Sequence, residues 1–151
     1  MRLDRFIEMT MESQMRALLT LSALVVIATG TAHAESDPAG FQSPSKNISC
    51  AFFVDGARNF IRCDIAVMDV KPKRPADCDH EYGQAFMMYS KGAAERICYG
   101  DALTDKSLPV IAYGEVWQHG GFTCTAEQTG VTCFNVDRHG FSLSRAKQEM
   151  F

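Results

Sequence analysis

No stretch of this chain stays apolar long enough to cross a bilayer as a helix. The apolar run Ala17 to Ala28 has twelve residues, whereas a spanning helix needs about 20. Cys-x-x-Cys is absent, so a zinc ribbon or a thioredoxin-type redox site has no support. No Gly-x-Ser-x-Gly marks a serine nucleophile, and neither His-Glu-x-x-His nor an EF-hand loop marks a metal site. Charge of one sign is also scarce: 15 basic residues stand against 18 acidic ones, a net charge of −3. That balance argues against a nucleic-acid partner, which is held by clustered Lys and Arg on phosphates. The one basic cluster, Lys71-Pro72-Lys73-Arg74, is short and proline-broken, and reads as a solvated loop. Tryptophan occurs once, at Trp117.

What is present begins with an export signal. The run Ala17–Ala28 is followed by Ala32-His33-Ala34, a triplet with small residues where signal peptidase needs them. Residues 1–34 read as a cleaved signal peptide, 35–40 as a flexible leader holding Pro38, and 41–151 as one domain. Arg2, Arg5 and Arg16 are cancelled by Asp4, Glu8 and Glu12, an unusual start for a signal. Translation from Met15 would place Met15-Arg16 directly before the apolar run, so Met15 is read as the true start. The reading is periplasmic or extracellular, with no membrane span after cleavage.

All six cysteines, at 50, 63, 78, 98, 124 and 133, follow the signal. An even count in an exported domain implies three disulfides. Local register selects the pairing. Asp55-Gly56-Ala57-Arg58 is turn-like between two apolar runs; a four-residue loop there sets Cys50 opposite Cys63, Phe52 opposite Ile61 and Ile48 opposite Ile65. Side chains alternate along a strand, so these pairs share one face. Opposed Cα atoms about 4.5–5.5 Å apart are within disulfide reach. The same argument at Glu127-Gln128-Thr129-Gly130 sets Cys124 opposite Cys133 and Thr125 opposite Thr132. Cys78 and Cys98 then pair with each other. Two cysteine-clamped hairpins with equal loops form a weak internal repeat.

The rest of the chain is a series of short apolar runs between turn signals. Strands are expected at Ala85–Tyr89, Glu95–Tyr99, Leu108–Tyr113, Glu115–Gln118 and Phe141–Leu143, with one helical turn over Arg145–Met150. The fold class is all-β: a small disulfide-stapled antiparallel sheet, barrel or sandwich built from hairpins.

Several segments carry a resemblance. They are Phe41-Gln-Ser-Pro-Ser-Lys-Asn-Ile-Ser-Cys50, Cys63-Asp64-Ile65, Cys98-Tyr99-Gly100-Asp101, Ala112-Tyr113-Gly114, Phe122-Thr123-Cys124, Thr129-Gly130-Val131-Thr132-Cys133 and His139-Gly140-Phe141-Ser142-Leu143-Ser144-Arg145. In that order they resemble a family of small secreted cysteine-rich bacterial proteins of unknown function, over Phe41 to Phe151. Lys46 stands where such proteins often carry glycine. The resemblance implies export and a stapled domain; it transfers no activity, cofactor or catalytic residue.

Candidate chemistry is thin. Asp77-Cys78-Asp79-His80-Glu81 is dense in metal-binding residue types, but a bridged Cys78 cannot ligate and the segment reads as an acidic loop. His119 and His139 each precede glycine and read as turn residues, and no cysteine is left for a Cys–His pair. Asp64, Asp101 and Glu115 flank strands and could serve as paired carboxylates only if the fold joins them. Trp117-Gln118-His119, ahead of Gly120-Gly121, is the favoured ligand-contact patch, although a lone tryptophan is also a common core anchor. Two function classes result: an exported binding module for an envelope protein, a glycan or a target hydrolase, needing no metal or cofactor, and a small hydrolase with unidentified residues. The first is favoured.

Overall fold

Alternation dictates the architecture. In the computed structural model, which describes residues 39–103 and 105–151, every second residue of the main strands turns to one interior. The signal peptide, the start at Met15 and the cleavage after Ala34 lie outside the described residues, as does most of the leader.

Ten strands form two antiparallel sheets. The first holds β1 (Gly40–Gln42), β2 (Ile48–Asp55), β3 (Arg58–Ile65), β4 (Glu81–Tyr89) and β5 (Glu95–Tyr99), side by side in chain order. The second holds β6 (Val116–His119), β7 (Phe122–Glu127), β8 (Gly130–Phe134), β9 (Gly140–Leu143) and β10 (Gln148–Met150), also in chain order. Each sheet is thus a five-stranded meander, and the described residues contain no helix.

Both hairpin registers have the expected pairs: Cys50 with Cys63, Phe52 with Ile61, Cys124 with Cys133 and Thr125 with Thr132. The ladders run further than expected, closing at Asp55–Arg58 and Glu127–Gly130, so each turn has two residues rather than four. Disulfides join Cys50 to Cys63, Cys78 to Cys98 and Cys124 to Cys133.

The repeat reaches beyond the hairpins. One row across the first sheet reads Phe41, Cys50, Cys63, Phe86. The matching row across the second reads Trp117, Cys124, Cys133, Phe141. The rows face each other: Phe41 lies 5.3 Å from Trp117 between ring centres, Phe86 lies 6.0 Å from Phe141, and the Sγ atoms of Cys63 and Cys133 are 4.0 Å apart. All eight residues are buried in one core with Ile48, Ile61, Ile65, Met88, Val131 and Leu143. The sheets therefore form a sandwich, each contributing its single apolar face.

Three expectations are corrected. Leu108–Tyr113 is not a strand: Val110 makes one parallel bridge to Gln42, while Pro109 can donate no backbone hydrogen bond. Instead Gln42 Nε2 donates to the Leu108 carbonyl at 2.7 Å, and Ile111 is buried. The helical turn at Arg145–Met150 is a turn followed by β10, because Gly140 and Phe151 exchange backbone hydrogen bonds of 2.9 and 3.0 Å that extend this edge as sheet. β6 lies at Val116–His119, one residue later than expected.

Buried polar side chains tie loops to the sandwich. Asp64 on β3 accepts Arg62 Nε and Nη2 at 2.7 Å each and the Leu103 amide at 2.8 Å, which fixes the connection between the sheets. At the other end, Asn135 donates to the carbonyls of Tyr89 and Gly92 at 3.0 and 2.7 Å, linking the β8–β9 turn to β4 and its turn.

Candidate functional site

The structure places Trp117 in the core, 5% exposed, stacked at 5.7 Å on His119. A ligand arriving from solvent would meet little of its ring. His119 is half-buried, edge-on to Phe52 at 4.5 Å, and with Gly120 and Gly121 borders a shallow groove beside Phe134 and Arg138. Gly120 is required there by contact, since a Cβ would overlap the Phe52 ring.

The residues considered for hydrolysis do not assemble. His80 and His139 are exposed, and no histidine side chain hydrogen-bonds to a serine or carboxylate among the described residues. Both oxygens of Asp64 are taken by Arg62 and the Leu103 amide. Glu115 accepts the Ala112 amide at 2.7 Å and closes a turn, and Asp101 meets Arg62 through its backbone carbonyl. Beside this cluster, burial first, then the charges of Asp64 and Glu81, pushes the Tyr99 phenol above its ordinary value, with Arg62 opposing. In the Asp77–Glu81 segment, Cys78 is bridged to Cys98 and the four other side chains are exposed. Lys71, Lys73 and Arg74 are exposed on the loop before it.

A cleft that these candidates did not include opens at the end of the sandwich where the β1–β2 loop, the β7–β8 turn and the β9–β10 turn meet. Its volume is about 380 Å³, within the range of small-ligand sites (about 300–1,000 Å³). Ser43, Asn47, Glu127, Thr129, Ser144 and Arg145 are among its lining, together with Tyr113 and Gln128. Four of the segments that carry the resemblance contribute to it.

Most of these polar groups serve the walls. The Ser43 hydroxyl accepts the Ile48 amide at 3.1 Å. Asn47 is doubly bound to the Val67 backbone, at 3.0 and 2.9 Å. Ser144 clamps Lys147 by two bonds of 2.9 Å. Gly130 presses the β7–β8 turn against β9; a Cβ there would overlap the Leu143 carbonyl.

Three side chains are left over, each on a pinned turn. Tyr113 is 51% exposed and makes no hydrogen bond among the described residues. Its turn is held by Gly114 N to Ala126 O at 2.7 Å and by the Glu115 carboxylate. Gln128, in the two-residue turn between β7 and β8, has its amide free among the described residues. Arg145 meets Asp69 through Nε at 3.0 Å, leaving its Nη donors uncommitted, while its carbonyl accepts the Asp69 amide at 2.9 Å. Sequence reading passed over this trio because it weighed Trp117 as the scarce aromatic. The usable signal was Tyr113 between turn residues, in the Ala112-Tyr113-Gly114 segment.

Among the described residues, no helix is long and apolar enough to cross a membrane. Neither the curated proteins nor the solved structures contain a match to the chain. Residues 18–151 match a family of unknown function, DUF6636, and the chain belongs to that family.

Proposed function

We propose that this protein is an exported, non-catalytic binding module that seats its ligand, an envelope protein or glycan, in the cleft between the β1–β2 loop and the two turns of the second sheet. The observation that carries the reading is the trio Tyr113, Gln128 and Arg145: Tyr113 and Gln128 spend no side-chain hydrogen bond among the described residues, Arg145 spends only Nε, and all three line one cleft. Rigid scaffolds that present loop side chains bind without a large ordering cost. Export to the periplasm or the medium is supported by the apolar run before Ala32-His33-Ala34. The family match opens at residue 18, inside that run, and the pairing of all six cysteines suits an oxidising compartment. The reading of Trp117 and His119 as ligand contacts narrows to His119 and its groove, a second and shallower surface.

The test is capture of partners from the envelope fraction by the oxidised protein and by a Tyr113→Ala/Gln128→Ala variant. The variant is expected to melt within about 0.5 kcal/mol of wild type, as surface changes do, and to lose the captured partner. Equal capture by both proteins would remove the cleft from the account. Turnover of a glycoside or ester substrate by the wild type would remove the non-catalytic half.

A further inference from the structure

We infer that the cleft takes a pyranose ring of a glycan, stacked on Tyr113 and hydrogen-bonded by Gln128 and Arg145; this rests on the binding reading above and names its ligand class. A pyranose ring has an apolar C–H face and a rim of hydroxyls that both donate and accept. The cleft offers the complement of each. Tyr113, half exposed, and Val67, 57% exposed, supply apolar surface at the opening. The Gln128 amide supplies a donor and an acceptor in one plane, and the uncommitted Nη groups of Arg145 supply donors only.

Charge separates this ligand from its competitors. A phosphate or a strongly anionic group calls for uncompensated cations in fork geometry. Here Asp69 already offsets Arg145, and Glu127 adds a carboxylate to the lining. An apolar peptide would need a deep, wholly apolar pocket for an anchor side chain, whereas here serine, threonine and amide groups are interspersed with Ile48, Val67 and Tyr113. The volume, about 380 Å³, lies at the lower end of small-ligand sites and holds about one or two sugar rings rather than a long segment. The walls are fixed beforehand by Asn47, Ser144 and Gly130, so binding orders only the three contact side chains.

The probes are chito-, cello- and malto-oligosaccharides and soluble muramidase-released cell-wall fragments, titrated into the oxidised full chain and followed by amide NMR. One series is expected to shift the resonances of Tyr113, Gln128 and Arg145. Tyr113→Ala should weaken that series about tenfold, the effect of losing one aromatic contact, while Tyr113→Trp should retain it. The melting transition of both variants serves as the folding control. If no oligosaccharide binds at millimolar concentration, yet Tyr113→Ala/Gln128→Ala loses an envelope protein on capture, the sugar class is overturned and the cleft stands as a protein seat. If shifts appear only around His119 and Gly121, or if neither binding nor capture depends on Tyr113 and Gln128, the ligand class and the cleft fall together.

Discussion

Trp117 and Lys46 show how one backbone position outweighs residue identity. Trp117 sits on β6 directly opposite Cys124, in the inward row, and its ring packs on Phe41 from the facing sheet. A large aromatic there is a bridge between the sheets. Trp117→Ala should cost about 3–5 kcal/mol by cavity formation, and chemical denaturation measures it; a change below about 1 kcal/mol would return Trp117 to the surface. Sequence pattern alone could not decide this, because β6 has four residues and one loop residue more or less would turn its faces over. Lys46 is the reverse case. Its φ is +57°, the left-handed region where a Cβ costs about 1–2 kcal/mol. A lysine at this position is therefore a local strain, held by Lys46 N to Ser43 O at 2.8 Å and by the Asn47 clamp. Lys46→Gly should raise stability by about 0.5–1 kcal/mol, the relief being partly cancelled by the entropy glycine loses on folding. A denaturation midpoint that falls instead would show that the lysine stem contributes packing worth more than the strain.

At the scale of elements, the hairpins were the most legible feature, because a short loop fixes register and register fixes which cysteines meet. The long-range elements were not. β1 pairs with β2 through only three residues, and β4 begins four residues before its apolar run, at Glu81, with an irregular register between Tyr82 and Ala85. Gly83 at φ +106°, beneath Pro72, accompanies that irregularity. Fold position also reorders the worth of the disulfides. Cys78–Cys98 spans 20 residues and Cys124–Cys133 spans nine, so loop entropy alone ranks the first higher, at about 3.3 against 2.7 kcal/mol. But Cys98 is exposed and Cys78, though buried, lies outside the central core, whereas Cys124 and Cys133 are fully buried beside the sulfurs of the other sheet. Deleting two core sulfurs forfeits packing worth about 2 kcal/mol more. The Cys124→Ala/Cys133→Ala protein is thus expected to be less stable than Cys78→Ala/Cys98→Ala. Guanidinium melts of the two double variants give the order directly, and the opposite order would mean that chain entropy dominates even in the core.

For the whole molecule, the question is whether the two meanders are two folding units or one. Their repeated rows invite the first answer: each has its own stapled hairpin, and a connection of sixteen residues, 100–115, joins them. The core argues for the second. Each sheet's apolar row is covered by the other sheet's row, so a meander alone would expose Phe41, Phe86 and Met88, or Trp117, Phe122 and Phe141, to water. The apolar face of a sheet must be buried against another element, and here that element is the other sheet. The connection adds to the coupling, since Asp64 and Gln42 of the first sheet hold its backbone and Ala126 of the second holds Gly114. The molecule carries its own reporter: Trp117, the single tryptophan, lies in the second sheet. Its fluorescence follows that sheet and its contact with Phe41, while far-ultraviolet circular dichroism follows both sheets. Under equilibrium denaturation of the oxidised protein the two signals should coincide in midpoint and slope, the mark of one cooperative transition. Asn135→Ala, which cuts the tie to Tyr89 and Gly92 at the end remote from the cleft, should shift both curves together, by about 1–3 kcal/mol for a buried polar link. A fluorescence transition that separates from the dichroism, in the wild type or in Asn135→Ala, would show the second sheet melting on its own and make the repeat a pair of domains.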